Sequence, residues 1–295
     1  MISKKQFDIL YYLKDHPNET QRSIAKAVDL SVGNTNKQLT LLTSMEYIYG
    51  GMLTQQGEEL LEQFRVKRAV IIAAGFGSRM LPITLNTPKP LIRVKGQRII
   101  DSTIDALLEA GIDDIIIVRG YLGEQFDQLL YKYPMLKFVQ NDAFNEANNI
   151  SSAYIAREFI KNAYVLEADL VLYNKALITP YQYSSNYLGV PVEKTDDWCL
   201  YTDNKRITKV AIGGTDCYHM FGISYWTEAD GLKLVDDLAD VYQAPGGRER
   251  YWDQVPLEYH LDHYDIAVRP CTFEDIIEID TFSELKEIDQ TYAVK

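Results

Sequence analysis

The pattern of hydrophobic and polar residues changes abruptly near residue 66 of this chain. Before that point, short apolar segments separated by turns predict helices, and residues 47–53 predict a hairpin that turns on Gly50 and Gly51. Ser31 is predicted to cap one helix, and Thr54 to start the last one. The helices are predicted at 6–13, 20–28, 31–42 and 54–64.

From Lys67 onward, apolar strand-like runs alternate with helical segments. This alternation predicts a parallel sheet that is covered on both faces. After residue 185 we expect shorter, more closely spaced strands that add an antiparallel region, followed by helices near 227–242 and 282–290. The predicted strands are 69–74, 115–119 and 163–168, and the helices between them 98–110, 122–131 and 150–160. The predicted fold class is α/β with a mixed sheet, divided into a small module at 1–65 and a large domain at 67–295.

Composition limits the classes of partner. The chain has 295 residues and a net charge of −12, which argues against broad binding to nucleic acid or anionic membranes. No apolar run approaches the length of a membrane span, and charged residues interrupt the first ten positions, where a signal peptide would be apolar. The three cysteines form no C-x-x-C pair, so no disulfide framework or zinc site is predicted. We therefore expect a cytoplasmic protein.

The helices and hairpin of residues 1–65 resemble a winged helix-turn-helix. The segment at 53–60, LTQQGEEL, is similar to the LT-x-x-G-x-x-L end of many bacterial regulators. The acidic and basic residues of the whole module, 1–65, nearly balance. The helix placed to read DNA carries Lys37 as its one cation. Phosphate contacts supply most of the affinity for DNA, so nucleic-acid binding is not favoured over a role in packing or in a homodimer.

Residues 73–91 read AAGFGSRMLPITLNTPKPL and follow a predicted buried strand. They match neither the dinucleotide fingerprint, because Met80 replaces its third glycine, nor a Walker loop, because no Gly-Lys-Ser/Thr follows. A glycine loop at the carboxyl edge of a parallel sheet can direct backbone N–H groups at a polyphosphate. Arg79 and Lys89 would supply the neutralising cations, and three prolines stiffen the segment that holds them.

This stretch resembles the signature of the sugar-phosphate and alcohol-phosphate nucleotidyltransferases, A-G-x-G-x-R followed by P-x-T and P-K-P. The three parts occur at 74–79, 82–84 and 88–90. The resemblance implies a Rossmann-like fold and the condensation of a nucleoside triphosphate with a phosphomonoester, releasing pyrophosphate. It implies catalytic roles for Arg79 and Lys89 at the triphosphate. The nucleotide-binding residues it implies are Ala73, Ala74, Gly75, Gly77, Ser78, Asn141, Asn149 and Ser151.

Two aspartates are candidate metal ligands. Asp169 and Asp280 each follow an apolar run and are expected to end strands at the carboxyl edge of the sheet. The family's two magnesium-binding aspartates fall at these positions by resemblance, and hard oxygen ligands suit Mg²⁺. His260 and His263 are spaced H-x-x-H, but the sequence suggests no third ligand, so a surface pair is expected there.

Asn148 and Asn149 narrow the resemblance further. Many sugar nucleotidyltransferases have a G-x-A-x-A-like run here, whereas an N-N run before a helix resembles the bacterial CTP:phosphocholine cytidylyltransferases. A phosphocholine site would need aromatic faces for a quaternary ammonium group, with carboxylates nearby. The residues expected to bind the acceptor are Trp198, Tyr251, Trp252, Asp253 and Glu278.

Several alternatives stay open. Residue types do not separate CTP from UTP, and the acceptor could be phosphoethanolamine or 2-aminoethylphosphonate instead of phosphocholine. A winged helix joined to a nucleotide-binding domain could also be a nucleotide-sensing transcriptional regulator. The complete signature with both aspartates weighs against a pure sensor, since sensing alone does not require Lys89 together with two metal ligands.

Overall fold

The computed structural model describes residues 2–293, and within them the chain forms two units. The first unit extends to Val66 and also includes Tyr181–Tyr183. The second consists of Lys67–Pro180 and the chain from Ser184 onward. The sequence predicted an uninterrupted second domain over 67–295. The structure departs from this division at Tyr181–Tyr183, because Tyr181 belongs to the hydrophobic core of the first unit.

Polar side chains set the start of each helix in the first unit. The residue before each helix, Ser3, Thr20, Ser31 or Thr54, accepts a hydrogen bond from a backbone N–H of the first turn. The cap predicted at Ser31 and the helix start predicted at Thr54 are thereby confirmed. The elements are α1 (Lys4–Asp15), α2 (Gln21–Ala27), α3 (Val32–Ser44), β1 (Ile48–Tyr49), β2 (Met52–Leu53) and α4 (Gln55–Glu62).

Aromatic side chains close the core of the first unit. The Phe7 ring, on α1, lies 5.0 Å from the Phe64 ring and 5.6 Å from the Tyr183 ring, measured between centroids. Tyr181 is 2% exposed, and its hydroxyl donates to the carboxylate of Glu62. The backbone N–H of Gln182 donates to the carbonyl of Phe64 at 3.0 Å. Residues distant in sequence therefore complete this core.

The second unit contains the parallel strands and covering helices that the alternating pattern predicted. No helix in residues 2–293 combines the length and the apolar composition needed to cross a bilayer. The elements are β3 (Arg68–Ala73), β4 (Arg93–Val94), β5 (Gln97–Arg98), α5 (Ile99–Glu109), β6 (Ile115–Arg119), β7 (Lys137–Gln140), α6 (Ile150–Ala156), β8 (Ala163–Glu167), β9 (Leu170–Leu172), β10 (Asn186–Asp203), β11 (Arg206–Trp226), α7 (Glu228–Gln243), β12 (Ala267–Pro270), β13 (Ile276–Glu278) and α8 (Phe282–Ile288).

The main sheet of the described chain has the strand order β10-β12-β11-β8-β3-β6-β7. Strands β8, β3, β6 and β7 are parallel, and β11 joins β8 antiparallel. The sheet is therefore mixed, as predicted. Because β3 lies between two parallel neighbours, Val70 and Ile71 are fully buried. Ile72 pairs with Glu167, so the loop after β3 begins beside the end of β8.

The strand before Asp280 lies outside this sheet. Strand β13 pairs antiparallel with β9 in a separate ribbon, where Glu278 is opposite Leu170. The expectation that Asp280 ends a strand of the main sheet is therefore wrong. The ribbon nevertheless places Asp280 beside Asp169. Strand β9 begins directly after Asp169, and the N–H of Ile279 donates to the Asp169 carbonyl at 3.1 Å.

The strands after residue 185 also differ from the prediction. Strands β10 and β11 pair antiparallel as expected, whereas β12 pairs parallel with β10. Strand β10 has 18 residues and β11 has 21, so they are not short. Their buried ends lie in the sheet core, whereas their middle portions are largely exposed. Register shifts near Thr195 and Trp198 interrupt the alternation of polar and apolar residues. The sequence pattern therefore indicated several short strands where two long ones exist.

Deletion of residues 1–66 tests this division of the chain. We expect the second unit to fold, because its sheet is formed by its own strands, but to be poorly soluble, because Tyr181 and Tyr183 lose the core that they complete. Soluble yield and the thermal unfolding transition are the measurements. The matched control is the same deletion with Tyr181→Ser and Tyr183→Ser, which should recover solubility. If both proteins are unfolded, the second unit is not an independent folding unit.

Candidate active site

The glycine loop after β3 is fixed by its backbone and by one threonine. Gly77 has φ of 62°, in the left-handed region, and a Cβ there would lie 3.0 Å from Cβ of Lys89. The Thr84 hydroxyl donates to the Gly77 carbonyl at 2.9 Å. The P-x-T segment of the signature thus holds the loop in place. A side chain at Gly77 would push the loop away from Lys89.

Lys89 joins the two predicted metal-binding aspartates. Lys89 is 8% exposed. Its Nζ donates to Oδ2 of Asp169 at 2.8 Å and to Oδ1 of Asp280 at 2.9 Å. The exposed Arg79 guanidinium donates to the other oxygen of Asp280 at 2.7 Å. The structure therefore brings together both predicted cations and both aspartates.

The charges in this cluster shift the pKa values of its members. Burial alone would lower the pKa of Lys89, but attraction to Asp169 and Asp280 outweighs it and raises that pKa. Burial would raise the pKa of Asp280, but Lys89 and Arg79 hold it below its usual value. Both aspartates are thus held by cations, and the ammonium group stays charged at neutral pH.

Two glutamates adjoin this cluster, and each precedes one of the aspartates by two residues. Burial, and then repulsion from Asp169, raise the pKa of Glu167 well above its usual range and that of Glu278 to about 10. Gly222 makes room for the first of them, because a Cβ at that position would lie 2.3 Å from Oε2 of Glu167. Acidic groups that resist ionisation therefore lie beside the Lys89 cluster.

The donor set fits a hard divalent cation. Carboxylate oxygens of Glu167, Asp169 and Glu278 lie within 4.8 Å of one another. Among the described residues, Oδ1 of Asp169 is buried and has no hydrogen-bond partner. A buried carboxylate oxygen in that state is suited to a cation ligated by oxygen atoms. Asp280 differs, because both of its oxygens contact Lys89 or Arg79.

The asparagine and serine residues predicted for the nucleotide base lie together in a hydrogen-bonded network. Asn141 is buried, and its amide donates to Oγ of Ser151 at 2.9 Å and of Ser152 at 3.0 Å. Asn149 accepts from the backbone N–H of Trp252 at 2.9 Å. Much of the hydrogen-bonding capacity of these amides is therefore used within the protein and fixes the shape of the cavity wall.

The residues predicted for the acceptor divide into two groups. Trp198 is half-buried and contacts the exposed Tyr251 ring edge-on at 5.5 Å between centroids. Asp253 is buried, accepts from the Tyr187 hydroxyl at 2.9 Å, and has a pKa raised to about 7 by burial. Trp252 instead packs in the core and does not line the cavity, so its position does not support the predicted acceptor role.

One cavity of about 490 Å³ in the second unit contains all the other predicted site residues. That volume lies in the range of small-molecule sites, roughly 300–1,000 Å³. The predicted residues that line it are Ala73, Ala74, Gly75, Gly77, Ser78, Arg79, Lys89, Asn141, Asn149, Ser151, Asp169, Trp198, Tyr251, Asp253, Glu278 and Asp280.

The sequence analysis missed Glu167 and Phe144, which also line the cavity. Glu167 had a readable signal, because Glu167-Ala168-Asp169 and Glu278-Ile279-Asp280 repeat one Glu-x-Asp spacing. Phe144 had no comparable signal. Its ring lies 5.3 Å from that of Phe76 in the glycine loop, a contact that only the fold creates.

Comparison with known proteins agrees with this arrangement. The nucleotidyl transferase family profile matches residues 68–185, and a winged helix-turn-helix DNA-binding profile matches residues 2–49. The 2-aminoethylphosphonate cytidylyltransferase of Lancefieldella rimae is 37% identical over 229 residues, covering 76% of this chain and 93% of the relative. The choline-phosphate cytidylyltransferase of Streptococcus pneumoniae is 31% identical over 224 residues, covering 76% and 97%.

A solved structure supports the same assignment. The CTP:phosphocholine cytidylyltransferase from Streptococcus pneumoniae aligns with a TM-score of 0.70 and 33% identity, covering 77% of this chain and 99% of that one. The predicted nucleotidyltransferase fold and the winged-helix module are both confirmed. With a relative 37% identical over three quarters of its length, the chain belongs to the cytidylyltransferases of the nucleotidyl transferase family.

Proposed function

We propose that this protein transfers the cytidylyl group of CTP to an acceptor with a primary ammonium group, of the 2-aminoethylphosphonate type. An oxygen of the acceptor phosphonate attacks the α-phosphorus, the bond from that phosphorus to the bridging oxygen breaks, and pyrophosphate leaves. The observation that carries the reaction is the ammonium group of Lys89, held at hydrogen-bond distance from both Asp169 and Asp280 beside the glycine loop.

The two cations have distinct roles in this proposal. Arg79 is largely exposed at the cavity and can turn from Asp280 toward the triphosphate. Lys89 is buried and stays in place, so its charge stabilises the negative charge that develops around the α-phosphorus. Thr84 and Gly77 keep the loop against Lys89, which orients the phosphates without further ordering.

A divalent metal completes the charge balance. Mg²⁺ is the ion proposed, with Asp169 and Asp280 as ligands, and Asp280 would bind it through the oxygen that Arg79 releases on turning to the triphosphate. Glu167 and Glu278 are neighbouring oxygen donors, and when bound the ion would neutralise phosphate charge. The buried, unpartnered Oδ1 of Asp169 supports this choice.

The choice of acceptor rests on charge. Glu167, Asp253 and Glu278 line the cavity and are largely buried. A primary ammonium group carries three N–H donors and a full charge, so it can donate to these carboxyl oxygens while its charge favours their ionised form. The 37% identical relative that acts on 2-aminoethylphosphonate supports the same choice.

Phosphocholine is the second candidate, and the Trp198–Tyr251 ring pair favours it. A quaternary ammonium group has no N–H to donate and is held by aromatic faces. In this chain the predicted group of three aromatic residues is reduced to two, because Trp252 packs in the core. Two relatives that are 31% identical act on choline phosphate, which also supports this candidate.

The reaction is tested by Asp169→Asn and Asp280→Asn. Each should lower the rate of pyrophosphate release from CTP by about 100-fold or more, the scale seen when one group that stabilises transition-state charge is removed. Circular dichroism should show an unchanged fold. Asp196→Asn is the matched control, because that side chain is 92% exposed. Near-normal turnover of Asp280→Asn at low Mg²⁺ would contradict the proposed metal role.

The acceptor is tested by kcat/KM for 2-aminoethylphosphonate, phosphoethanolamine and phosphocholine with the same preparation. We expect a preference for the primary amines, and we expect Asp253→Asn to reduce that preference by about tenfold or more, since a charge-assisted hydrogen bond contributes roughly 1.5–3 kcal/mol. The KM for CTP should change little. A wild-type preference for phosphocholine would overturn the acceptor while leaving the transfer reaction standing.

The aromatic pair is tested separately by Trp198→Ala. Loss of a cation–π contact of about 0.5–2 kcal/mol should weaken phosphocholine use by roughly two- to thirty-fold. Use of 2-aminoethylphosphonate should fall less, because carboxylates hold its ammonium group. Equal losses for both acceptors and for CTP would indicate that Trp198 shapes the cavity as a whole.

A further inference from the structure

A second cluster of ligand-type side chains lies outside the cavity wall. Asp237 on α7 meets His260 and His263, which occupy the turns that follow a single π-helical turn at Val255–Tyr259. Each side chain offers one donor atom, and the three atoms lie within 4.8 Å of one another. None of these residues lines the cavity that holds Lys89. The sequence predicted a surface pair here because it suggested no third ligand, and Asp237 precedes the histidines by more than twenty positions.

The backbone fixes the two imidazoles side by side. The N–H of His260 donates to the carbonyl of Val255 at 3.0 Å, and that of His263 donates to the carbonyl of His260 at 2.9 Å. The imidazole rings are stacked, with centroids 4.8 Å apart. Both turn the same nitrogen toward Asp237, since Nδ1 of His263 lies 2.9 Å from Oδ2 and Nδ1 of His260 lies 4.0 Å from Oδ1.

Acidic and hydroxyl groups lie beside these side chains, where metal ligands commonly have their outer partners. The carboxylate of Asp237 is buried, and its Oδ2 accepts from the hydroxyl of Tyr264. The other nitrogen of His260, Nε2, lies 3.8 Å from the carboxylate of Asp240. In metal sites the second ring nitrogen of a ligating histidine is commonly paired with a carboxylate, which fixes the tautomer.

We propose that Asp237, His260 and His263 form a second metal site, for a first-row transition ion such as Zn²⁺. Two imidazoles and one carboxylate suit Zn²⁺, whereas Mg²⁺ prefers oxygen ligands alone. The site is therefore chemically distinct from the carboxylates around Lys89. On binding, Nδ1 of His263 gives up the proton that it shares with Asp237, and solvent takes that proton.

The position of the site defines its role. Only a few residues separate Asp253, which lines the cavity, from His260. An ion held by His260, His263 and Asp237 ties this segment to α7 and fixes the acceptor side of the cavity. The ion has a structural role and takes no part in the transfer reaction, so its binding should raise thermal stability.

The test uses the full chain, stripped of metal and titrated with Co²⁺ in excess Mg²⁺, with Co²⁺ visible absorption as the readout. Melting temperature with added Zn²⁺ is the second measurement. The variants are His260→Gln and His263→Gln, and His16→Gln is the matched control because it removes a histidine of the first unit. Asp169→Asn weakens any contribution from the cavity carboxylates. Asp237→Asn is a further variant, in which the asparagine can still accept from Tyr264.

We expect one Co²⁺ bound per chain in the wild type, His16→Gln and Asp169→Asn proteins, with a rise in melting temperature on Zn²⁺ addition. In His260→Gln and His263→Gln, metal affinity should fall by more than the roughly 10–100-fold typical of losing an outer partner. No uptake by the wild type, or equal uptake by His260→Gln, would overturn the proposal. The cluster would then be a hydrogen-bonded His–Asp pair that holds the turn.

Discussion

The site of this protein depends on one buried charge that must be compensated. Lys89 is 8% exposed, and a lysine ammonium group at such a depth is stable only when partners compensate for its lost hydration. Asp169 and Asp280 provide that compensation from two different elements, the end of the β8 segment and the end of the β9–β13 ribbon. The ribbon, the glycine loop and the proline-flanked turn are thereby held in one arrangement.

Three acidic residues of the cavity, unlike Lys89, lack enough opposite charge to compensate for their burial. Glu167, Glu278 and Asp253 have pKa values raised chiefly by burial, and Lys89 is the buried cation near the two glutamates. The folded protein therefore retains protons that the unfolded chain would release, so these groups make the unliganded protein less stable as the pH rises. A site that binds cationic groups carries this cost until its ligands arrive, which is a common property of functional sites.

Most of the fold and much of the site could be predicted because the determining signals are local. Helix caps such as Ser31, the buried strand before the glycine loop and the signature around Lys89 are all contained in short segments. The predictions failed where a result depends on pairing between distant segments. The ribbon that carries Asp280, the place of Phe144 in the cavity wall and the burial of Trp252 are set by such pairing. The register shifts in β10 and β11 hid two long strands for a related reason, since a bulge breaks the period on which strand prediction relies.

The place of Tyr181–Tyr183 has a consequence for biosynthesis. The winged-helix segment leaves the ribosome before the second unit, yet its core includes an aromatic residue that is made more than a hundred residues later. At synthesis rates of roughly 5–20 residues per second, several seconds pass before that core can close. The winged-helix module is thus made before the second unit, but its core cannot be completed until part of that unit has been made. By the time this core can close, strands β3, β6, β7 and β8 of the main sheet have already been translated.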